Sequence, residues 1–236
     1  MKLKIFFYSC LSYFLISCTT SKPLVIESIL ENNSNTIKKN NTFYKVDVNN
    51  VVDIGINKKK NTVFVEDSTF VNLKDYSNDF FYDLRYATTD NFLKSRVYDC
   101  AECYLRLKTV KALIKANNYF INKGLHIKLF DCYRPLDVQK KMWKIVSNPQ
   151  YVADPRKGSI HNRGGAIDIT LVDVNGNELD MGTAFDFFGI KASHSYENLS
   201  EEVKMNRKLL KEGMTRYDFK IFESEWWHYN LKNSNK

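Results

Sequence analysis

A carboxylate in an apolar run is the first residue here that asks for chemistry. Asp168 follows Ala166-Ile167 and precedes Ile169. An ionised side chain in such surroundings is costly unless a partner offsets it, and a metal ion would serve. His161 stands seven residues earlier, in Ser159-Ile160-His161-Asn162-Arg163-Gly164-Gly165. On one regular strand, two residues at that spacing face opposite sides. The Gly164-Gly165 pair breaks the regularity and can turn the chain so that both side chains converge.

A second candidate segment is Glu225-Trp226-Trp227-His228. Two tryptophans beside a carboxylate form an apolar wall that raises its pKa towards the range of a general base. A spacing of three again mismatches strand parity, so a turn or bulge must intervene if Glu225 and His228 share a site. By itself, a histidine beside aromatics is more often a packed residue than a ligand. His126 and His194, which complete the four histidines of the chain, read as structural or surface residues.

These residues need elements to hold them. Tyr104 to Asn122 carries apolar residues at Leu107, Val110, Leu113, Ile114 and Ile121, a helical pattern closed by Lys123-Gly124. Leu125, Ile127 and Leu129 alternate as a strand running into Asp131-Cys132-Tyr133-Arg134-Pro135, and Pro135 suits the first turn of a second helix through about Val146. Ala166 to Val172 reads as a strand followed by a hairpin turn at Val174-Asn175-Gly176-Asn177. Ser200 caps a helix that begins Glu201-Glu202 and ends at Gly213. Asp218 to Leu231, aromatic and alternating, supplies a strand or two. Helices followed by a small antiparallel sheet describe an α+β domain, spanning 69–236, with no internal repeat.

The rest of the chain has a different texture. Lys2 and Lys4 precede an apolar stretch from Ile5 to Ser17, too short to cross a bilayer comfortably and suited to an export signal. Its end, Leu15-Ile16-Ser17-Cys18, resembles the lipobox of bacterial lipoproteins. That makes residues 1–18 a lipoprotein signal and Cys18 the lipidation site, with the chain exported and tethered to a membrane, periplasmic or on the cell surface. Residues 19–68 are rich in Asn, Lys, Ser and Thr and read as a tether with a strand or two.

Charge and cysteines exclude little. The formal charge is +8, of which residues 1–68 hold +3, leaving +5 spread over the remainder without a basic run. Lys58-Lys59-Lys60 reads as a solvated loop rather than a nucleic-acid patch, so no nucleic-acid partner is expected. Cys100-x-x-Cys103 lacks the second pair that a structural zinc needs, which leaves a local disulfide and two buried thiols as equal alternatives.

Ser159-x-His161-x-x-Gly164-x-Ala166-x-Asp168, followed much later by Glu225-x-Trp227-His228, resembles the zinc D-alanyl-D-alanine dipeptidases, the VanX-like group of the M15 metallopeptidases. Three further blocks resemble that family in family order: Asp83-Leu84-Arg85-Tyr86-Ala87-Thr88 with Asn91-Phe92, Asp131-Cys132-Tyr133-Arg134-Pro135, and Met181-Gly182-Thr183 with Phe185-Asp186. Together they cover roughly residues 80–231. Cys132 stands where a small residue such as Gly or Ala is more usual, and touches no role the resemblance assigns.

The resemblance implies a hedgehog/DD-peptidase-like fold and one Zn2+ per chain, held by His161, Asp168 and His228. It implies Glu225 as the base and Arg134 as the oxyanion-stabilising cation. Ser159, Asp186 and Tyr86 would hold a dipeptide, with Asp186 pairing the free ammonium of its first residue. The expected activity is hydrolysis of D-Ala-D-Ala in cell-wall turnover. A D,D- or L,D-carboxypeptidase acting on peptidoglycan stems and a non-catalytic zinc-containing binding protein are the alternatives.

Overall fold

The computed structural model describes residues 36–39, 42–47, 51–56 and 59–234. The export signal and Cys18 lie outside these residues. Four short strands come first: β1 (Thr36–Lys39), β2 (Thr42–Asp47), β3 (Val51–Ile56) and β4 (Lys59–Phe64). They pair in sequence order as an antiparallel meander, more regular structure than the strand or two expected of a tether. Lys59 and Lys60 open β4 rather than lying in a loop.

The site-bearing part begins with β5 (Phe70–Asn72), β6 (Phe81–Tyr82) and β7 (Tyr104–Arg106), followed by α1 (Leu107–Ile121), β8 (Leu125–Asp131) and α2 (Leu136–Ile145). After a long loop come β9 (Ala166–Asp173), α3 (Glu201–Arg216), β10 (Phe219–Phe222) and β11 (Glu225–Leu231). Five strands form one sheet in the order β10-β11-β9-β8-β6, antiparallel except for the short parallel edge pair β6–β8, while β5 and β7 pair separately. The expected α+β class and small sheet are therefore observed, with helices interleaved among the strands rather than preceding them. No helix among the described residues is long and apolar enough to cross a membrane.

Sequence explains most boundaries and two corrections. Tyr104–Arg106 pairs with β5 instead of opening α1, so the helix starts at Leu107. It turns Leu107, Val110, Leu113 and Phe120 inward. Gly124 closes it at φ 75°, a conformation that suits glycine. In α3, the Ser200 side chain accepts from the Val203 amide as an N-cap, but Gly213 does not end the helix. It lies inside α3 against Phe120 of α1, where an added Cβ would meet the ring at 2.2 Å. The glycine is there for close approach of two helices, which the sequence alone presents as a stop signal.

Cys103 and Cys132 form a buried disulfide, and Cys100 is exposed outside it. The alternatives drawn from the Cys100-x-x-Cys103 spacing are thus replaced by a pairing across 29 residues, because β7 and the end of β8 bring distant segments together. Closing a loop of that length stabilises by about 2–4 kcal/mol. A Cys103→Ala/Cys132→Ala variant is expected to lose that much in urea unfolding, and an unchanged midpoint would contradict it.

Candidate metal centre

The sheet's middle strand and its neighbour carry the site. β11 pairs with β9 so that His228 lies directly opposite Asp168, two residues at the separation where cross-strand side chains touch. His161 arrives from outside the sheet, on a single 3-10 turn (His161–Arg163) that ends at Gly164 with φ 65°. A side chain at Gly164 would meet Phe70 at 2.4 Å, and one at Gly165 would meet Ser234 at 2.3 Å. The Gly164-Gly165 break is therefore both a turn and a tightly packed one, and it converges the first pair as the sequence predicts. The second convergence comes from an irregularity in the β10–β11 hairpin: Ile221 pairs with Tyr229, but Phe222 pairs with Glu225. This bulge turns Glu225 back to within 3.9 Å of His228 Nδ1.

Three donor atoms face one another. His161 Nε2 lies 3.2 Å from His228 Nδ1, which lies 2.9 Å from Asp168 Oδ1; His161 Nε2 is 3.4 Å from the same oxygen. The outer ring nitrogens are committed elsewhere. His161 Nδ1 donates to the Cys132 carbonyl at 2.7 Å, and His228 Nε2 donates to Asn230 Oδ1 at 3.0 Å. Each neutral histidine thus has its proton on the outer nitrogen and its lone pair turned inward. Two lone pairs and a carboxylate oxygen, all but buried, repel one another unless a cation sits among them. Two nitrogens and one oxygen with open coordination fit a catalytic divalent metal rather than a closed thiolate-rich structural site.

The electrostatics agree. Burial alone would raise the Asp168 carboxyl, yet positive charge and hydrogen bonds from His161 and His228, when these rings are protonated, hold it below the usual carboxylate range, so the carboxylate favours a cation at this spot. Burial pushes the Glu225 carboxyl up, as expected for a base behind an apolar wall. That wall differs from the expectation: Trp227 lines the cleft, while Trp226 donates its indole N–H to Thr183 at 2.8 Å and is not among the lining residues.

Arg134 is held in place at the cleft wall. Its Nη2 and Nε donate to Asp131 Oδ2 at 2.6 and 3.1 Å, and its Nη1 donates to Gln139 of α2 at 3.1 Å. Asp131 reaches this place through another bulge, at Phe130 in β8, which sets it opposite Asp168. Burial works against the guanidinium charge, but Asp131 beside it raises its pKa well above the ordinary value. Asn162 ties the two motifs together, accepting from the Ser159 amide at 2.7 Å and donating to the Arg134 carbonyl at 2.6 Å.

The remaining candidates close the cleft. Tyr86 donates its hydroxyl to the Asp186 carboxylate, 3.1 and 3.0 Å from the two oxygens, and Arg134 lies over the Tyr86 ring at 5.2 Å. Burial, and then the nearby Asp168, push the Asp186 carboxyl well above the usual range, so this end of the cleft favours a positive partner. Of the Met181–Asp186 block only Asp186 lines the cleft; Met181 is buried in the core, and Phe185 stacks on Phe130 at 4.7 Å. His161, Asp168, His228, Glu225, Arg134, Ser159, Asp186 and Tyr86 all line this single cavity of about 230 Å³. That volume lies below the roughly 300–1,000 Å³ of drug-sized sites and suits a small ligand.

Several participants escaped sequence reading. Asn230, Gln139 and the Cys132 carbonyl orient the histidines and Arg134. Cys132, which carried no role in the sequence, thus touches the site through its backbone. A backbone oxygen leaves no trace in residue type; Asn230, two residues beyond His228 on the same strand face, leaves only its parity. His126 and His194 lie outside the cleft, as expected.

Residues 66–235 match the peptidase M15 family described as D-ala-D-ala dipeptidase. The chain is 40% identical over 150 residues to the D-alanyl-D-alanine dipeptidase of Escherichia coli K12, covering 63% of this chain and 77% of that one. It is 29% identical over 176 residues to the D-alanyl-D-alanine dipeptidase of Enterococcus faecium, covering 64% and 86%.

Proposed function

Because the chain belongs to the M15 peptidase family of D-Ala-D-Ala dipeptidases, we propose that it hydrolyses D-Ala-D-Ala with one zinc ion held by His161, Asp168 and His228. The observation that carries this reading is the convergence of three inward donor atoms beside a carboxylate, Glu225, that is not one of them. Zinc bound there would lower the pKa of water to ~7 and polarise the scissile carbonyl.

The protein's own groups do the rest. Glu225 accepts the proton of the attacking water and passes it to the departing amine. Three of the five guanidinium N–H groups of Arg134 are committed to Asp131 and Gln139, which leaves two to stabilise the oxyanion. Asp186, oriented by Tyr86, pairs with the free ammonium of the first residue, and Ser159 helps hold the dipeptide. A peptide whose amine is acylated would leave the Asp186 carboxylate without a positive partner, so the cleft prefers a dipeptide.

Two measurements test this. Elemental analysis of the purified protein is expected to return one zinc per chain, and a metal-free protein with full activity would contradict the reading. Asp186→Asn removes the charge at nearly constant shape. It is expected to lower kcat/KM for free D-Ala-D-Ala by about 10- to 100-fold, the worth of a charge-assisted hydrogen bond; wild-type values would remove Asp186 from substrate recognition.

The lipobox Leu15-Ile16-Ser17-Cys18 supports an exported enzyme tethered through a lipid on Cys18. Outside the cytoplasm such a catalyst would leave the cytoplasmic precursor pool intact, which favours recycling of wall dipeptides over protection from an antibiotic.

A further inference from the structure

A second concavity, sharing no residue with the dipeptide cleft, gathers positive charge that the sequence disperses. Lys108, Lys111 and Lys115 are spaced i, i+3, i+7 on α1, and so lie on one face; Arg216 at the end of α3 and Lys232 after β11 complete the set. These five cations line a groove of about 560 Å³ with only two carboxylates, Asp67 and Asp218, a net of +3. Both acids are already engaged, Asp67 by Lys111 at 2.7 Å and Asp218 by Lys232 at 3.1 Å. Lys108 donates to the Asn233 carbonyl at 3.1 Å, which leaves its charge uncancelled. Lys115 and Arg216 are exposed and have no carboxylate partner among the described residues.

We infer that this groove is a docking face for an anionic phospholipid surface. Charge complementarity is the first argument: several cations on one face attract an anionic bilayer, each adding to the binding, with the attraction fading beyond a Debye length. The second is where the chain arrives. Residues 1–66, which contain the apolar signal and Cys18, enter the domain at Asp67 on the rim of this groove, and the Asp67 carbonyl accepts from the Lys108 amide at 3.1 Å. The segment read as a membrane tether therefore leads to the basic face. The dipeptide cleft lies across the sheet: Asn230 lines the cleft and its neighbour Leu231 lines the groove, and successive side chains of a strand point to opposite faces, so docking on this groove leaves the cleft open.

The test uses the full chain carrying Cys18→Ala, so that no attached lipid contributes, and compares its partition onto two kinds of vesicle. One is phosphatidylcholine alone; the other contains about one-third phosphatidylglycerol, at low salt. Hydrophobic residues in the signal act on both vesicles, and the ratio between them reads charge. The ratio is expected to fall at least about a hundredfold in Lys108→Glu/Lys115→Glu/Arg216→Glu, which takes the groove from a net charge of +3 to −3, and to fall at about 0.15 M salt in the unmutated groove. The milder Lys115→Gln/Arg216→Gln is expected to fall between the two and serves if the triple variant is unstable. Dipeptide hydrolysis in solution is expected to be the same in all of them. An unchanged ratio in the variants would overturn the inference. Release from the anionic vesicles by millimolar inorganic phosphate at constant ionic strength would also overturn it, indicating a site for free phosphate.

Discussion

Glu225→Gln keeps its metal and loses about 10²- to 10⁴-fold in kcat, the usual contribution of a positioned general base. The substitution preserves shape and removes only the capacity to take a proton. Glu225 is not one of the three converging donors; its Oε2 lies 3.9 Å from His228 Nδ1. Metal content should therefore stay at the wild-type value while turnover collapses. Steady-state kinetics with metal analysis on the same preparation checks both halves. Normal hydrolysis would place the base elsewhere, and a coincident loss of metal would make Glu225 a ligand.

Withdrawing the metal is expected to have an equally large effect, on stability as well as on rate. The inward lone pairs of His161 and His228 and the Asp168 carboxylate are held by a buried frame of hydrogen bonds, so they cannot easily move apart when the cation leaves. A metal present at a thousand times its dissociation constant stabilises the folded state by about 4 kcal/mol. For a protein of this size that corresponds to roughly 10 °C in Tm. Calorimetry with excess chelator and then with zinc restored should show the midpoint fall and recover, with hydrolysis following it. In Asp168→Ala the midpoint should no longer respond to zinc. A wild-type midpoint indifferent to chelator would mean that the three side chains hold no metal.

Much of this site was legible in the sequence because its residues are unusual where they stand. Asp168 in an apolar run and the Gly164-Gly165 break announced a convergence, and the break is where the chain turns to set His161 beside Asp168. The bulge that returns Glu225 to His228 could be required by parity but not located, since a hairpin register depends on the pairing of two strands. The Cys103–Cys132 bridge was hidden for a similar reason: a nearby Cys100 offers the tempting local spacing, and only the fold brings β7 to the end of β8. Gly213 misled because glycine at a helix end and glycine at a helix crossing look alike in sequence. The basic groove was invisible because its cations come from α1, α3 and the segment after β11, and no stretch of chain shows them together.

The central claim is that this cleft takes a dipeptide with a free amine and hydrolyses it beside zinc. One comparison tests it most directly: kcat/KM of the zinc-loaded protein for free D-Ala-D-Ala against that for an N-acylated peptide ending in D-Ala-D-Ala. Pairing of the ammonium with Asp186 predicts that the free dipeptide is preferred by about tenfold or more. Preferred cleavage of the acylated peptide would contradict the account and make the protein a carboxypeptidase of peptidoglycan stems.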